Sequence, residues 1–201
     1  VKPTNSLPQM KPKFRLFVRR GLPAAALLLP MFSQSAHGAA ITWNNSATDF
    51  NAGSSWVGGT APGVADIATF TGAQSTNPAL SAAASVKGLA FSNASSSGYT
   101  ISGNTLTLGI GGIDTSAVTG GTNTISSNIA LASGGQAWTA GTGSTLAINP
   151  AALTRSAGAT VRINKTAVTG TVSTTTLTNT NGIIGAWAAV SSSGTSANNS
   201  A

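Results

Sequence analysis

The chain has 201 residues, no cysteine and a formal net charge of +7, but the charge is concentrated at one end. Six of its ten Lys and Arg residues precede Ala39, and the rest of the chain holds four basic residues against three aspartates, a net charge of +1. A body so close to neutral excludes a broad basic surface for nucleic acid. The lack of cysteine excludes disulfide cross-links.

Small residues dominate the body of the chain. Ala, Gly, Ser, Thr and Asn together make up more than two thirds of the sequence from Ala39 onward. Such residues suit closely stacked β-strands, whereas a packed helix bundle needs more Leu, Glu and Lys. The low net charge and the regularly placed Ile, Leu, Val and Trp residues argue against disorder. The composition therefore predicts an ordered all-β structure over residues 41–190.

The start of the chain is organised like a secretory signal peptide. A basic region ends at Arg19-Arg20, and the apolar run Leu22–Phe32 is followed by small polar residues. The run has eleven residues, two of them proline, and is too short to span a bilayer as a helix. We expect export through the Sec machinery and cleavage after Gly38 or Ala40, with Met10 as an alternative start. A twin-arginine signal is the less favoured interpretation.

Large aromatic residues are concentrated just after the leader, where Trp43, Phe50, Trp56 and Phe70 lie close together in the sequence. In one interpretation they cap a β-solenoid, whose first coil would otherwise expose its core and backbone edge. In the other, exposed rings stack on sugars, and Trp43, Trp56 and Trp138 are the candidate ligand-stacking residues. The cap is the favoured interpretation. Asp66 follows a Pro-Gly turn and is expected to accept turn amides.

A periodic repeat runs through the middle of the chain. Ile101-Ser102-Gly103-Asn104 is echoed by Ile125-Ser126-Ser127-Asn128, and a third apolar run is Leu146-Ala147-Ile148. Apolar groups spaced in this way indicate a solenoid, in which each coil buries its apolar face against its neighbours. The spacing predicts about five coils of a β-helix. Ile110 and Ile113 are expected to flank a Gly111-Gly112 turn.

Several short motifs resemble bacterial autotransporter-associated β-strand repeat proteins, and together they cover most of residues 41–190. The opening motif is Trp43, Trp56 with Gly58-Gly59, Ala61-Pro62, Asp66, Ala68 and Phe70. The repeat-like motifs are Leu89-Ala90-Phe91-Ser92-Asn93, residues 98–104, Leu106-Thr107-Leu108-Gly109, Ile129-Ala130-Leu131 with Gln136 and Trp138, and Gly143-Ser144-Thr145-Leu146. Near the end, Asn181-Gly182-Ile183-Ile184-Gly185 with Trp187-Ala188 is similar to a segment found between such repeats.

The resemblance implies a right-handed parallel β-helix of the passenger type. Such a protein is secreted and is displayed at or beyond the outer membrane of a Gram-negative-type bacterium. The family pattern carries over no catalytic residue.

Beyond the leader the chain contains no His, Cys or Glu. This excludes a Ser–His–Asp or Cys–His nucleophile system and an ordinary zinc site. Asp49, Asp66 and Asp114 are the only carboxylic side chains, and no two share a close motif for hydrolysis. We therefore expect no enzyme activity, catalytic residue, metal or cofactor. The basic residues Arg155, Arg162 and Lys165 are interpreted as a solvated surface rather than a site for an anion.

The predicted organisation is a signal peptide over residues 1–40, an aromatic N-terminal cap over 41–78, β-solenoid repeats over 79–190 and a Ser/Gly/Asn-rich linker or truncated end over 191–201. The predicted function is that of a secreted or cell-surface structural, adhesin-like scaffold without a transmembrane segment in its mature chain. Its partners would be surface glycans or the surfaces of host or neighbouring cells. The alternatives are a secreted glycan-binding module and, less favoured, a polysaccharide lyase or hydrolase.

Overall fold

The computed structural model describes residues 1, 38–93, 98–165, 169–177 and 185–192. Most of the predicted signal peptide, Ile183-Ile184 and most of the predicted C-terminal linker lie outside these residues. The described residues form a β-structure whose only helical element is the 3₁₀ turn Gly53–Ser55. The strands are β1 Ala40–Thr42, β2 Ile67–Gly72, β3 Ala79–Leu80, β4 Ala84–Asn93, β5 Thr100–Gly103, β6 Leu106–Thr115, β7 Thr122–Ile125, β8 Ile129–Leu131, β9 Gly135–Ala140, β10 Thr145–Ile148, β11 Leu153–Arg155, β12 Thr160–Lys165, β13 Thr171–Ser173 and β14 Ala188–Ser192.

The strands form two parallel sheets. The long sheet has the order β1-β2-β4-β6-β9-β12-β14, with β8 paired to β6 and to β11, and the second sheet has the order β3-β5-β7-β10-β13. Each strand pairs with the equivalent strand of the next coil. For example, Ala40 of β1 pairs with Ile67 of β2, and Ile67 pairs in turn with Gly88 of β4. The chain is therefore a parallel β-solenoid, which confirms the predicted fold class.

The solenoid has about six turns rather than the five expected. The difference arises at the aromatic segment, because β1 and β2 already pair in the long sheet. This segment therefore both covers the end of the core and contributes strands to the first coils.

The core consists of apolar columns that run from coil to coil. In the second sheet Ile101 pairs with Ile125 and Ile125 pairs with Ile148, and all three side chains are buried. The repeat seen in the sequence is thus a real stacking register. The long sheet carries a longer column, namely Ala68, Leu89, Ile113, Trp138, Ile163 and Val190. Because partners lie one coil apart, each apolar side chain is buried mainly by the next coil.

The expected turn at Gly111-Gly112 was wrong. These glycines lie inside β6, where the register between β4 and β6 shifts and residues 109–111 stand opposite Lys87 alone. Gly112 has a φ of +61°, and a Cβ atom there would collide with the carbonyl oxygen of Ala137. Glycine therefore permits a β-bulge where a tight turn was expected. The bulge leaves Ile113 buried and Ile110 62% exposed.

Asparagine side chains extend the backbone ladder around the corners of the coils. The Oδ1 atoms of Asn77, Asn128 and Asn149 accept hydrogen bonds from backbone amides of the following coil, at 2.8, 3.0 and 2.9 Å. Corner amides lie outside the strand ladder and need such partners. This explains why asparagine recurs with the period of the coils.

Ile101 and Ile110 provide a matched test of the register. Both are isoleucines within strands, but the Ile101 side chain is buried and the Ile110 side chain is 62% exposed. We expect Ile101→Ala to lower the free energy of unfolding by about 2–5 kcal/mol, since it leaves a cavity between coils. Ile110→Ala should change it by about 0.5 kcal/mol or less. Urea unfolding of the full chain, followed by far-UV circular dichroism, measures both. Equal losses would contradict the inward-facing columns.

Candidate functional site

The first coils enclose a cluster of aromatic rings. Trp43 and Trp56 form an isolated antiparallel bridge, and their rings meet edge to face with centroids 5.1 Å apart. Phe50 packs on Trp56 at 4.9 Å, and Phe70 stacks on Phe91 of the next coil at 4.9 Å. Edge-to-face and offset contacts are the favourable geometries for such rings. The loop between Trp43 and Trp56 therefore folds over the first coil as a cap.

The three predicted ligand-stacking residues belong to the core. Trp43 and Trp56 are each 2% exposed, and their Nε1 atoms donate to Thr76 Oγ1 at 3.2 Å and to the Phe50 carbonyl at 2.8 Å. Trp138 is 3% exposed and lies in the apolar column of β9, three coils along from β2. The structure does not bring the three rings together on a surface. Their faces are covered by protein, so they offer no stacking platform.

Tyr99 fastens the cap to the solenoid. Its hydroxyl donates to the Thr71 carbonyl at 2.9 Å and accepts from Asn45 Nδ2 at 2.7 Å. Its backbone amide donates to Asn123 Oδ1 of the next coil at 2.8 Å. Burial raises the pKa of the Tyr99 hydroxyl, and the hydrogen bond from Asn45 opposes this shift in part. The contacts of this hydroxyl are with a backbone carbonyl and a side-chain amide, so its role is structural.

All three carboxylic side chains of the protein hold turns. Asp66 accepts from the backbone amides of Ala39 and Gly63 at 2.8 and 2.9 Å, which confirms the expectation for this residue. Asp114 accepts from the Ser116 amide at 2.8 Å. The remaining carboxylate, Asp49, accepts from the Ser81 hydroxyl and the Asn51 amide.

These bonds lower the pKa of Asp49, with the hydrogen bond from the Ser81 hydroxyl as the largest cause. Within the described part of the chain, no three His, Cys, Asp or Glu side chains come together as a metal site would require. The arrangement of the acids is that of turn-stabilising groups.

The basic residues near the end of the solenoid occupy different environments. The Nη1 atom of Arg155 donates to the Ala159 carbonyl at 3.1 Å, so this guanidinium is engaged by its own turn. Arg162 is exposed on the outer face of β12, where its ladder neighbours are Ala137 and Ala189. Lys165 ends β12. Both arginines are exposed, and they differ because Arg155 hydrogen-bonds its own turn whereas the Arg162 side chain has no hydrogen bond among the described residues.

A groove of about 470 Å³ lies on the outer face of the long sheet beside Arg162. Its lining includes Ile110, Gly135, Ala137, Arg162, Trp187 and Ala189. Trp187 is partly exposed, unlike the other three tryptophans. Sequence reasoning missed Ile110 and Trp187 as surface residues. The signal available for Ile110 was its position between Gly109 and Gly111, which is typical of a bulge.

Comparisons with protein-family models, with curated proteins and with solved structures each gave no match. The class of the protein therefore follows from its architecture, which is that of a parallel β-solenoid. In the portion of the chain that the structure describes, no helix has the length and apolar character needed to cross a membrane.

The four tryptophans differ in exposure, and acrylamide quenching tests this difference. We expect only a minor part of the fluorescence of the folded full chain to be quenched readily, because three of the rings are buried. Trp187→Phe should remove most of the readily quenched part. The same protein in guanidinium, with all rings accessible, is the control. Quenching that is unchanged by Trp187→Phe would contradict the burial of the other three rings.

The single tyrosine allows a test of the link between cap and solenoid. Tyr99→Phe leaves the Thr71 carbonyl without this donor, and we expect a loss of about 1–3 kcal/mol in the free energy of unfolding at neutral pH. In the folded state the pKa of Tyr99 lies above its ordinary value of 10.0, so the folded state binds this proton more tightly. Its stabilising contribution is complete below that value and is lost as the pH rises through the folded pKa.

Urea midpoints measured between neutral and strongly alkaline pH should therefore fall more steeply in the parent chain than in Tyr99→Phe. Lysine titration is common to both proteins and cancels in the comparison. Parallel pH profiles would mean that the hydroxyl is equally solvated in the folded and unfolded states.

Proposed function

We propose that this protein is an exported, passenger-type β-solenoid that serves as a structural, adhesin-like scaffold at the surface of a Gram-negative-type bacterium. The observation that carries the proposal is the parallel solenoid itself, whose apolar columns continue through successive coils. In such a protein each coil contacts only its neighbours, so length and stability increase together by adding coils. This is a suitable architecture for a scaffold.

The outer face of the long sheet supports a role based on many weak contacts. One outward column consists of Thr69, Ala90, Asp114, Thr139 and Asn164, each from a different coil. These side chains are short and, apart from one aspartate, uncharged. An outer face built from short side chains at every coil offers similar contacts along the solenoid, and the combined strength of several such contacts exceeds that of any one of them.

Export is supported by the order of basic, apolar and small residues at the start of the chain. A non-catalytic role is supported by the use of Asp49, Asp66 and Asp114 in turns, because hydrolysis by paired carboxylates needs two acids facing one bond. We do not propose glycan stacking through Trp43, Trp56 or Trp138, since their ring faces are buried.

Expression of the full chain with a C-terminal epitope tag in a Gram-negative host tests this proposal. We expect the tagged protein outside the cytosol, with a new N-terminus after Gly38 or Ala40 that protein sequencing identifies. A variant with Leu27→Arg and Leu28→Arg interrupts the apolar run and should keep the leader and stay in the cytosol. Parent protein found in the cytosol with its leader intact would overturn the export proposal.

The scaffold role has a separate readout. Beads coated with the exported protein should adhere to bacterial or host cells, and beads coated with the Ile101→Asp variant should not, because a buried charge disrupts the stacked coils. The exposed-site variant Val57→Asp is the matched control and should retain adhesion, because the Val57 side chain is 62% exposed and lies outside the groove lining. Equal adhesion by all three proteins would show that the folded solenoid is not what the cells bind.

A further inference from the structure

The groove beside Arg162 combines a cation with an exposed apolar surface. Arg162 is exposed on the outer face of β12, and its cross-strand neighbours, Ala137 and Ala189, have small side chains. Ile110 reaches the same groove from the bulge in β6, and Trp187 reaches it from the residue before β14. The floor is built from Gly135, Ala137 and Ala189, which are small and leave the groove open to a flat molecule.

Among the residues that the structure describes, the charge of Arg162 has no carboxylic side chain as its partner. The chain has only three acidic side chains, and each of them accepts hydrogen bonds at a turn rather than from an arginine. A guanidinium is planar, always charged and suited to binding a carboxylate through two parallel hydrogen bonds. The natural complement of Arg162 is therefore an anionic group on another molecule.

The aromatic and aliphatic lining adds a second requirement on that molecule. Trp187 is the one tryptophan with an accessible surface, and Ile110, which lines the same groove, is 62% exposed. A ligand that contacts both must present an apolar face next to its charge. Pyranose rings present such a face through their C–H groups, and sugar acids add a carboxylate at the ring.

Other occupants fit the groove less well. An extended peptide that adds a strand would pair along the edge of β14, where no described strand is paired, rather than lie over β12, which is paired with β9 and β14. A phosphorylated ligand is usually held by a cluster of cations, whereas Arg162 is the only cation among the described residues of the lining. The volume of about 470 Å³ lies within the range of small-molecule sites.

We propose that this groove binds an acidic saccharide, with the Arg162 guanidinium pairing with a sugar carboxylate and the Trp187 ring stacking against the sugar ring. Ile110 forms the opposite apolar wall. The proposed site depends only on the geometry of the groove. The proposal therefore does not require that the protein is exported or displayed on a cell surface.

Titration calorimetry of the full chain with a defined panel tests the site. The probes are tri-galacturonate, a tri-mannuronate, sialyllactose, tri-galacturonate with its carboxylates reduced to alcohols, and a polyglutamate peptide. We expect at least one acidic probe to bind, and its affinity to fall by about tenfold or more in Arg162→Gln, because a charged hydrogen bond is lost. Arg155→Gln is the matched control and should bind like the parent, since that guanidinium serves its own turn. Trp187→Ala should also weaken binding, and Trp187→Phe should weaken it less.

Two changes are combined to test whether the carboxylate of the ligand contacts the guanidinium of Arg162: reduction of the carboxylates and the substitution Arg162→Gln. Reducing the carboxylates should weaken binding to the parent chain, and should have little further effect on Arg162→Gln. Far-UV circular dichroism checks that the variants keep the fold. Three results would overturn the proposal: no acidic probe binding at millimolar concentration, equal losses in Arg162→Gln and Arg155→Gln, or stronger Arg162-dependent binding of a polyglutamate peptide than of every saccharide.

Discussion

The stacking of like side chains in register from coil to coil is the interaction on which this structure depends. Ile101 on Ile125 and Ile125 on Ile148 illustrate it, because no single coil contains enough apolar surface to form a core. Burying a side chain of this size contributes about 1.5–3 kcal/mol. Each side chain makes this contribution only when the next coil covers it, so the stability of the solenoid comes from the contacts between coils.

The unusual composition follows from the same constraint. Coils that lie one strand spacing apart leave little room at their corners, and a Cβ atom at Gly98 would overlap the carbonyl oxygen of Thr122 in the next coil. Asparagine and aspartate fill the corners because their short side chains reach backbone amides, as Asn128 and Asp66 do. Hydrogen bonds from these short side chains to backbone amides stabilise the corners of the coils.

The coil repeat was predictable from the sequence because similar residues recur at a nearly constant spacing. Ile101 and Ile125 occupy equivalent places in that repeat, and they are direct partners in the structure. The exposure of Ile110 was not predictable by the same reasoning, because a bulge changes which side chains point inward without changing the pattern of apolar residues in the sequence. The burial of Trp138 posed a similar problem, because an aromatic residue suits either side of a strand and only its column decides between them.

In a solenoid, the neighbouring coil determines whether a side chain is buried, as Val190 shows. It pairs with Ile163 in the interior column, yet it is 70% exposed, because no strand among the described residues pairs with β14 on its other side.

The outer groove also depends on neighbouring coils. Ile110, Ala137, Arg162 and Trp187 come from four successive coils, and the stacking register alone brings them together. A slip of one residue in β12 would turn Arg162 toward the core and dismantle the groove. The inner columns therefore determine both the stability of the solenoid and the arrangement of its outer surface.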